Sequence, residues 1–417
     1  MPSIYDLAAL LLVVSAAFGW LNHRYSPLPH TMGLLLAGLL ASLALIAVDL
    51  VIPDRRLFDP LTDALLQIDF HDVVMNGMLG FLLFAGALHI DLDLLRQRAL
   101  PVVALACLGT AISTAVVGAG FWASAALVGH PIGIYWCMAF GALISPTDPV
   151  AVMSALKAVK VPQALEAQLQ GESLFNDGVG IVLFTVMLRF AAGDDGHGTT
   201  PLGIVELLLA EAGGGLLLGT VTGYLAYRAM RAIDDFAIEV LISLALVMGT
   251  YALAGRLHAS GPLSVVAAGL LIADRGPRYA MTERTQTYLF GLWTLIDEVL
   301  NSLLFLLIGL EVLVLRHERP AVSLAVLAVP LVLLGRLAAV AGSPLLFGWR
   351  GAVSAANVPF LTWAGVRGGI SVALALSMPD DPAKPTLLAA TYAVVLFSVV
   401  MQGGTLGPVV RRTVTAG

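Results

Sequence analysis

Apolar stretches of about 20 residues recur from one end of this chain to the other, the length needed to cross roughly 30 Å of hydrocarbon at about 1.5 Å per helical residue. A backbone inside lipid has no water to bond, so each such stretch must satisfy its own N–H and C=O groups as a helix. The chain is 59% hydrophobic and 12% charged, against the roughly 25% charged of ordinary soluble domains. Its net charge of -6 is spread over the loops, which leaves neither a nucleic-acid footprint nor an acidic tail. Cys107 and Cys137 both lie inside apolar runs, so no disulfide framework is expected. The run after "MPSIYD" lacks the basic flank of a secretory signal and reads as a membrane helix.

Segmentation on that length predicts an all-α membrane protein with helices at about 4–22, 29–50, 72–90, 99–128, 132–156, 166–190, 201–228, 236–255, 261–273, 286–315, 321–347, 353–377 and 386–409. About thirteen spans put the termini on opposite sides of the bilayer. The Lys and Arg bias sets the direction. With the N-terminus outside, inner loops collect Arg96, Arg98, Lys157, Lys160, Arg228, Arg231, Arg278, Arg350 and Arg411, among others, while outer loops hold fewer, including Arg55, Arg56 and Arg316. The N-terminus is therefore expected outside and the C-terminus in the cytoplasm. No soluble domain fits between the spans, and no regulatory domain is expected after the last one.

Two spans carry matched interruptions. In "SPTDPV", Pro146 and Pro149 each remove a backbone donor and disfavour helix at the preceding residue. In "VPFLTWAGVRGGIS", Pro359, Gly365, Gly368 and Gly369 crowd together. If 4–190 and 236–409 are two six-helix repeats joined by the linker helix 201–228, these are the fifth helix of each half. Paired breaks of this kind point to a transport site near the midplane. The repeat rests on position and hydropathy, since the halves share no evident residue-level identity.

Ionisable groups at that depth cost several kcal/mol and face a protein interior or an aqueous cavity. Asp148 lies roughly 13 Å before the inner loop, and Asp177 roughly 17 Å after the start of the next helix, so both carboxylates come to lie near the midplane. In "GESLFNDGVGIVLF", Glu172 and Asn176 are one helical turn apart, as are Ser173 and Asp177, which spreads the four over a sector of roughly 140°. Gly178 and Gly180 permit close approach on the next turn. A helix-gluing polar cluster accounts for Ser173 as well as an ion site does, but it does not account for Asp177 beside a proline-broken Asp148.

Arg336 needs a counter-charge at depth, and Glu172 is the leading partner; an exchange with Arg367 remains open. Arg367 stands in the glycine-rich break, either capping freed carbonyls or handling the ion. Asp297, Glu298 and Glu311 read mainly as rim groups, with Asp297 or Glu298 the better placed to line an ion funnel. Glu206, Glu211 and Glu239 sit near helix ends and need no special role. Gly215, Gly219 and Gly223, spaced by four, form a close-packing face. Scattered histidines and the absence of phosphate-loop or nucleophile-elbow motifs argue against a transition-metal site, ATP-driven transport and hydrolase chemistry.

"FLLFAGALHIDLDLL", "ISPTDPVAV", "GESLFNDGVGIVLF", "LLFLLIGLEVL" and "WAGVRGGISVALALSMP", in this order, resemble the monovalent cation:proton antiporter family in its prokaryotic sodium/proton branch. That resemblance covers nearly the whole chain. It implies inverted six-helix repeats with two discontinuous crossing helices. It also implies core ion-binding helices at about 72–190 and 286–377 interleaved with a scaffold that forms a homodimer, in the inner membrane of the cell. Carried over residue by residue, it implies that Asp177, Asp148, Ser173, Thr147 and Asn176 bind the ion and couple the proton, and that Glu172 and Arg336 form a structural ion pair. One departure is Ala85, where several relatives carry a carboxylate.

The chemistry expected of these groups is exchange. Alkali cations are hard and take oxygen ligands, as other hard cations do: charge from Asp177, neutral oxygens from Ser173, Thr147 and freed carbonyls. A proton and Na⁺ would compete for one carboxylate, with no resident cofactor, and only the occupied site crosses the barrier cheaply. A neutral Asn176 favours one-for-one, electroneutral exchange, with Asp148 tuning the field. Li⁺ or K⁺ in place of Na⁺ stays open. A cation channel is the competing class, and an intramembrane hydrolase using Asp148 and Asp177 as an acid pair fits the Ser, Thr and Asn neighbours less well.

Overall fold

The computed structural model describes residues 4–26, 28–51, 72–156, 161–193, 201–311, 319–347 and 357–413. Arg55, Arg56, Lys157, Lys160, Arg316, Arg350 and the side chain of Glu311 lie outside the described residues. Among those described, the chain is helical and contains no strand.

In chain order the helices are α1 (Ile4–Tyr25), α2 (His30–Val51), α3 (Val73–Leu88), α4 (Leu92–Gln97), α5 (Ala99–Leu127), α6 (Ile134–Ile144), α7 (Pro149–Leu156) and α8 (Gln163–Ala191). They continue with α9 (Pro201–Arg231), α10 (Phe236–Arg256), α11 (Gly261–Tyr279), α12 (Glu283–Glu311), α13 (Arg319–Phe347), α14 (Val358–Trp363), α15 (Gly369–Leu376) and α16 (Lys384–Thr413). Seven of the described helices are long and apolar enough to cross a membrane unaided, and the apolar α3 and α6 are shorter. Leucines such as Leu12, Leu217 and Leu241 point outward, as a helix facing hydrocarbon requires.

The predicted interruptions fall where proline and glycine forbid a regular ladder. After Ile144 the backbone unwinds through Ser145–Asp148 and restarts at Pro149, where the Asp148 carboxylate accepts from the Val150 N–H at 2.8 Å. A cap of this kind satisfies a donor that would otherwise be orphaned in the membrane. In the second half the chain leaves helical geometry after Trp363 and resumes at Gly369. The expected helix 261–273 is longer in the structure, running to Tyr279. The extension is held at the surface: Arg96 bonds Asp274 and Arg278 bonds Asp93, each at 2.9 Å.

Small residues set the helix spacing. On α9, Gly215 lies against the backbone of Ser260, the N-cap of α11, Gly219 lies against that of Ser264 on α11, and a Cβ at Gly223 would sit 3.0 Å from Ala268 Cα. The stripe is therefore a packing surface: without a hydrophobic drive inside lipid, close van der Waals approach is what holds helices together. Gly219→Val should overpack this contact and cost roughly 1–3 kcal/mol, read as a lower thermal midpoint in detergent. Gly213→Ala, at a position open to space, should leave the midpoint unchanged; equal melting of both variants would refute the assignment.

Candidate functional site

The two unwound segments cross one another. The Asp148 N–H donates to the Val366 carbonyl at 2.7 Å, joining the break after α6 to the break before α15. Contact this tight explains the glycines: a Cβ at Gly368 would overlap the Asp148 carboxylate, and one at Gly365 would lie 2.9 Å from Arg336 Nε. Arg367, fully buried, donates from Nη1 to the carbonyls of Ser145 and, at 2.7 Å, Pro146. Its guanidinium caps the backbone freed by the first break; Nε and Nη2 have no partner among the described residues.

Helix α8 runs past this crossing and presents its polar stripe in three directions. Glu172, fully buried, receives both terminal nitrogens of Arg336, Nη1 on Oε1 and Nη2 on Oε2 at 3.1 Å, while Arg336 Nε donates to the Leu361 carbonyl at 3.1 Å. That fork-on-fork arrangement uses every side of the guanidinium and ties α8 to α13 and α14. Ser173 Oγ and Thr147 Oγ1 lie 2.8 Å apart. Asn176 holds Thr147 from both ends: its Nδ2 donates to Thr147 Oγ1 at 3.0 Å and its Oδ1 accepts from the Thr147 N–H at 3.3 Å. Asn176 thus pins the unwound strand, and Gly180 lets α8 reach the Pro146 ring.

Asp177 faces elsewhere. It is 5% exposed and opens onto a cavity of about 650 Å³ that also reaches Thr147, Asp148 and Ser371. No ion pair ties Asp177 to an arginine among the described residues; Asp148 and Arg367 are the charges that act on it at a distance. The sequence brings five groups to this spot, and all five arrive: Thr147, Asp148, Ser173 and Asn176 around the crossing, and Asp177 at the cavity's buried end.

The structure adds to two of the sequence readings. Asp297 and Glu298, read mainly as rim groups and as the better placed of these acids to line an ion funnel, line the same cavity as Asp177. Asn301, one turn on, bonds Asp297 Oδ1 at 3.0 Å and lines the cavity too. Glu239, expected at a helix end without special role, is fully buried and accepts from Thr285 Oγ1 at 3.1 Å. The signal for it was the helical spacing of Glu239, Ser243 and Thr250, all buried on one face of α10. The α3 wall of the cavity is apolar, formed by Leu82, Leu83 and Gly86, with Ala85 fully buried beside them.

Removing one partner of a buried ion pair leaves the other charge uncompensated, at a cost of roughly 3–5 kcal/mol. Glu172→Gln should therefore sharply lower the thermal midpoint in detergent, whereas Asp177→Asn, at an unpaired group, should leave the protein folded and as heat-resistant as the parent. Parent-like melting of Glu172→Gln would show that the pair has no structural role.

This constellation can be set beside known proteins. The family model described as "Sodium/hydrogen exchanger, transmembrane" matches residues 10–412. Na(+)/H(+) antiporter NhaP of Pseudomonas aeruginosa is 41% identical over 412 residues, covering 98% of this chain and 96% of that protein. Na(+)/H(+) antiporter NhaH of Halobacillus aidingensis is 36% identical over 347 residues, 82% of this chain and 83% of its own. The solved structure of the sodium proton antiporter MjNhaP1 from Methanocaldococcus jannaschii at pH 8 has a TM-score of 0.75 at 19% identity, with 98% of both chains covered, so the antiporter fold is shared. With nearly its full length matched, the chain belongs to the sodium/hydrogen exchanger family.

Proposed function

We propose that this protein is a secondary antiporter, not an enzyme, that exchanges Na⁺ for H⁺ across the membrane by competition at Asp177. The observation that carries the reading is the contrast between two acids on one helix: Glu172 is locked to Arg336, while Asp177 stands at the end of a cavity with no ion-paired cation among the described residues. A carboxylate kept in a protein interior without a paired cation must neutralise itself with something mobile. A proton does so covalently. A sodium ion does so by coordination, taking carboxylate oxygen from Asp177 and hydroxyl oxygen from Thr147 and Ser173.

Asp148 completes the negative field and, through its bonds to Val150 and Val366, holds the unwound segment in place. Asn176 positions Thr147 and adds no charge, which supports a count of one proton for one Na⁺. Loading with either ion cancels the charge of Asp177; the empty site carries it bare and crosses the low-dielectric barrier poorly, and that penalty enforces coupling. The relatives described as Na(+)/H(+) antiporters support Na⁺ as the cation, with Li⁺ or K⁺ as alternatives to be measured. We infer further that the protein is a homodimer in the inner membrane with its N-terminus outside. Arg96, Arg98, Arg228, Arg231, Arg278 and Arg411 then mark the cytoplasmic side, and the cavity opens toward it.

Proton flux driven by each alkali cation in proteoliposomes tests this. Asp177→Asn should abolish exchange in a folded protein; residual flux with altered selectivity would instead indicate a pore. Since protonation removes the Na⁺ site, the apparent KM for Na⁺ should rise about tenfold for each unit of acidification below the carboxyl's titration, with maximal rate little changed. A KM independent of pH would defeat the competition. Imposed membrane potentials should not change the rate; a reversal point displaced from one-for-one would refute electroneutrality.

A further inference from the structure

The last turn of α14 must place four carbonyls as the second break begins. Phe360 C=O accepts from the Ala364 N–H at 2.7 Å, Thr362 C=O from the Gly365 N–H at 3.3 Å, and Leu361 C=O from Arg336 Nε. That leaves the carbonyl of Trp363, the final helical residue. It accepts from Gln402 Nε2 on α16 at 2.9 Å. Gln402 is buried, and so is Ser398 one turn earlier, whose Oγ donates to Gln402 Oε1 at 2.6 Å. A carbonyl can only accept, so the amide has one orientation here: its nitrogen faces Trp363 and its oxygen takes the serine hydrogen. α16 also holds Trp363 by its ring, which donates from Nε1 to Thr405 Oγ1 at 2.9 Å. Around these groups, Ser398–Gly403 wind as a π-turn within α16, a rare winding that often marks a functional site. Several elements meet there. α7, which starts where the first break ends, packs along the π-turn and the turns after it, α14 packs on those later turns, and Met32 of α2 lies against Gly403.

We propose that Gln402 is a positioning residue for exchange: by holding the Trp363 carbonyl it fixes where the second break begins, and through Val366 and Asp148 it fixes the place of Thr147 among the cation's oxygen ligands. The proposal rests on the Na⁺/H⁺ exchange reading. From Trp363 the chain runs through Ala364 and Gly365 to Val366, whose carbonyl takes the Asp148 N–H at 2.7 Å, and Thr147 is the next residue along the first break. This short non-helical segment contains a glycine, so little within it resists a shift of its starting point. Its position is set from outside. Asn176 holds Thr147 from the side of α8, and Gln402 holds the opposite side of the crossing from α16. Ser398 belongs to the same device, because it keeps the amide from turning its oxygen toward the carbonyl. An ion's ligands perform only as well as the bonds that support them, so loosening this hold should weaken cation binding before it affects the fold.

The test is proton flux of the full chain in proteoliposomes, driven by Na⁺ and in parallel by Li⁺ at one alkaline pH, with KM and maximal rate measured separately and the thermal midpoint taken in detergent. Gln402→Met keeps the volume and removes the donor. It should raise KM for Na⁺ about three- to tenfold, the worth of one hydrogen bond, and keep the maximal rate within about twofold of the parent. KM for Li⁺ should change by a different factor, since a displaced set of ligands suits the two radii unequally. Ser398→Ala frees the amide to turn and should raise KM in the same direction by less. Thr405→Val releases only the indole, so its KM should stay at the parent value. Parent KM in both Gln402→Met and Ser398→Ala would overturn the proposal, as would a fall in maximal rate at unchanged KM, which reports only fewer intact molecules. Equal KM factors for Na⁺ and Li⁺, or a rise for Thr405→Val as large as for Gln402→Met, would overturn it too, leaving general loosening as the cause. If Gln402→Met fails to fold, the KM of Ser398→Ala decides alone. Absence of Na⁺-driven flux in the parent would instead overturn the exchange reading itself.

Discussion

The organisation of this protein depends on one requirement: two helices are broken inside the membrane, and the backbone groups they release must find partners without water. Each lost ladder bond would leave a group whose burial costs several kcal/mol. The partners come from the other break and from buried arginines. Val366 takes the Asp148 N–H, Asp148 caps α7, Arg367 takes the carbonyls of Ser145 and Pro146, and Arg336 takes that of Leu361. These bonds are mutual. Neither break is satisfied alone, so the crossing forms as a unit or not at all.

That unit explains how two acids five residues apart on α8 acquire opposite characters. Glu172 faces α13, where Arg336 neutralises it and the pair acts as a fixed joint. Asp177 faces the crossing and the cavity, where the neighbouring hydroxyls are neutral. A joint must not titrate during the cycle, and an ion carrier must. Placing the roles on separate faces of one rigid helix lets the carrier change partners while the joint stays shut. Asn176 stiffens the arrangement further by holding Thr147 through both its backbone and its hydroxyl.

The cavity adds an asymmetry of chemistry along its length. Its α3 wall is apolar at Leu82, Leu83 and Gly86, and its acids are Asp297 and Glu298 from α12, Glu166 and Asp177 from α8, and Asp148 from the first break. Ala85 contributes only its backbone carbonyl, and that carbonyl is engaged by His89. Negative charge for a passing cation is thus supplied by α12, α8 and the first break rather than by α3.

Much of this was legible in the residues themselves. Apolar runs specify a helical membrane protein, because lipid leaves a spanning backbone few alternatives. Pro146, Pro149 and the glycines from 365 to 369 specify where two spans break, since ring closure and missing side chains act locally. The four-residue spacings of Glu172 with Asn176 and of Ser173 with Asp177 specify that polar groups share one side of a helix. What lies across from each group was decided by tertiary structure. The choice of Arg336 over Arg367 for Glu172, the burial of Glu239 against Thr285 and the entry of Asp297 and Glu298 into the cavity all join residues distant in the chain. Local sequence sets periodicity and breaks through covalent geometry; contacts between distant helices depend on their tilt and rotation, which only the assembled packing selects.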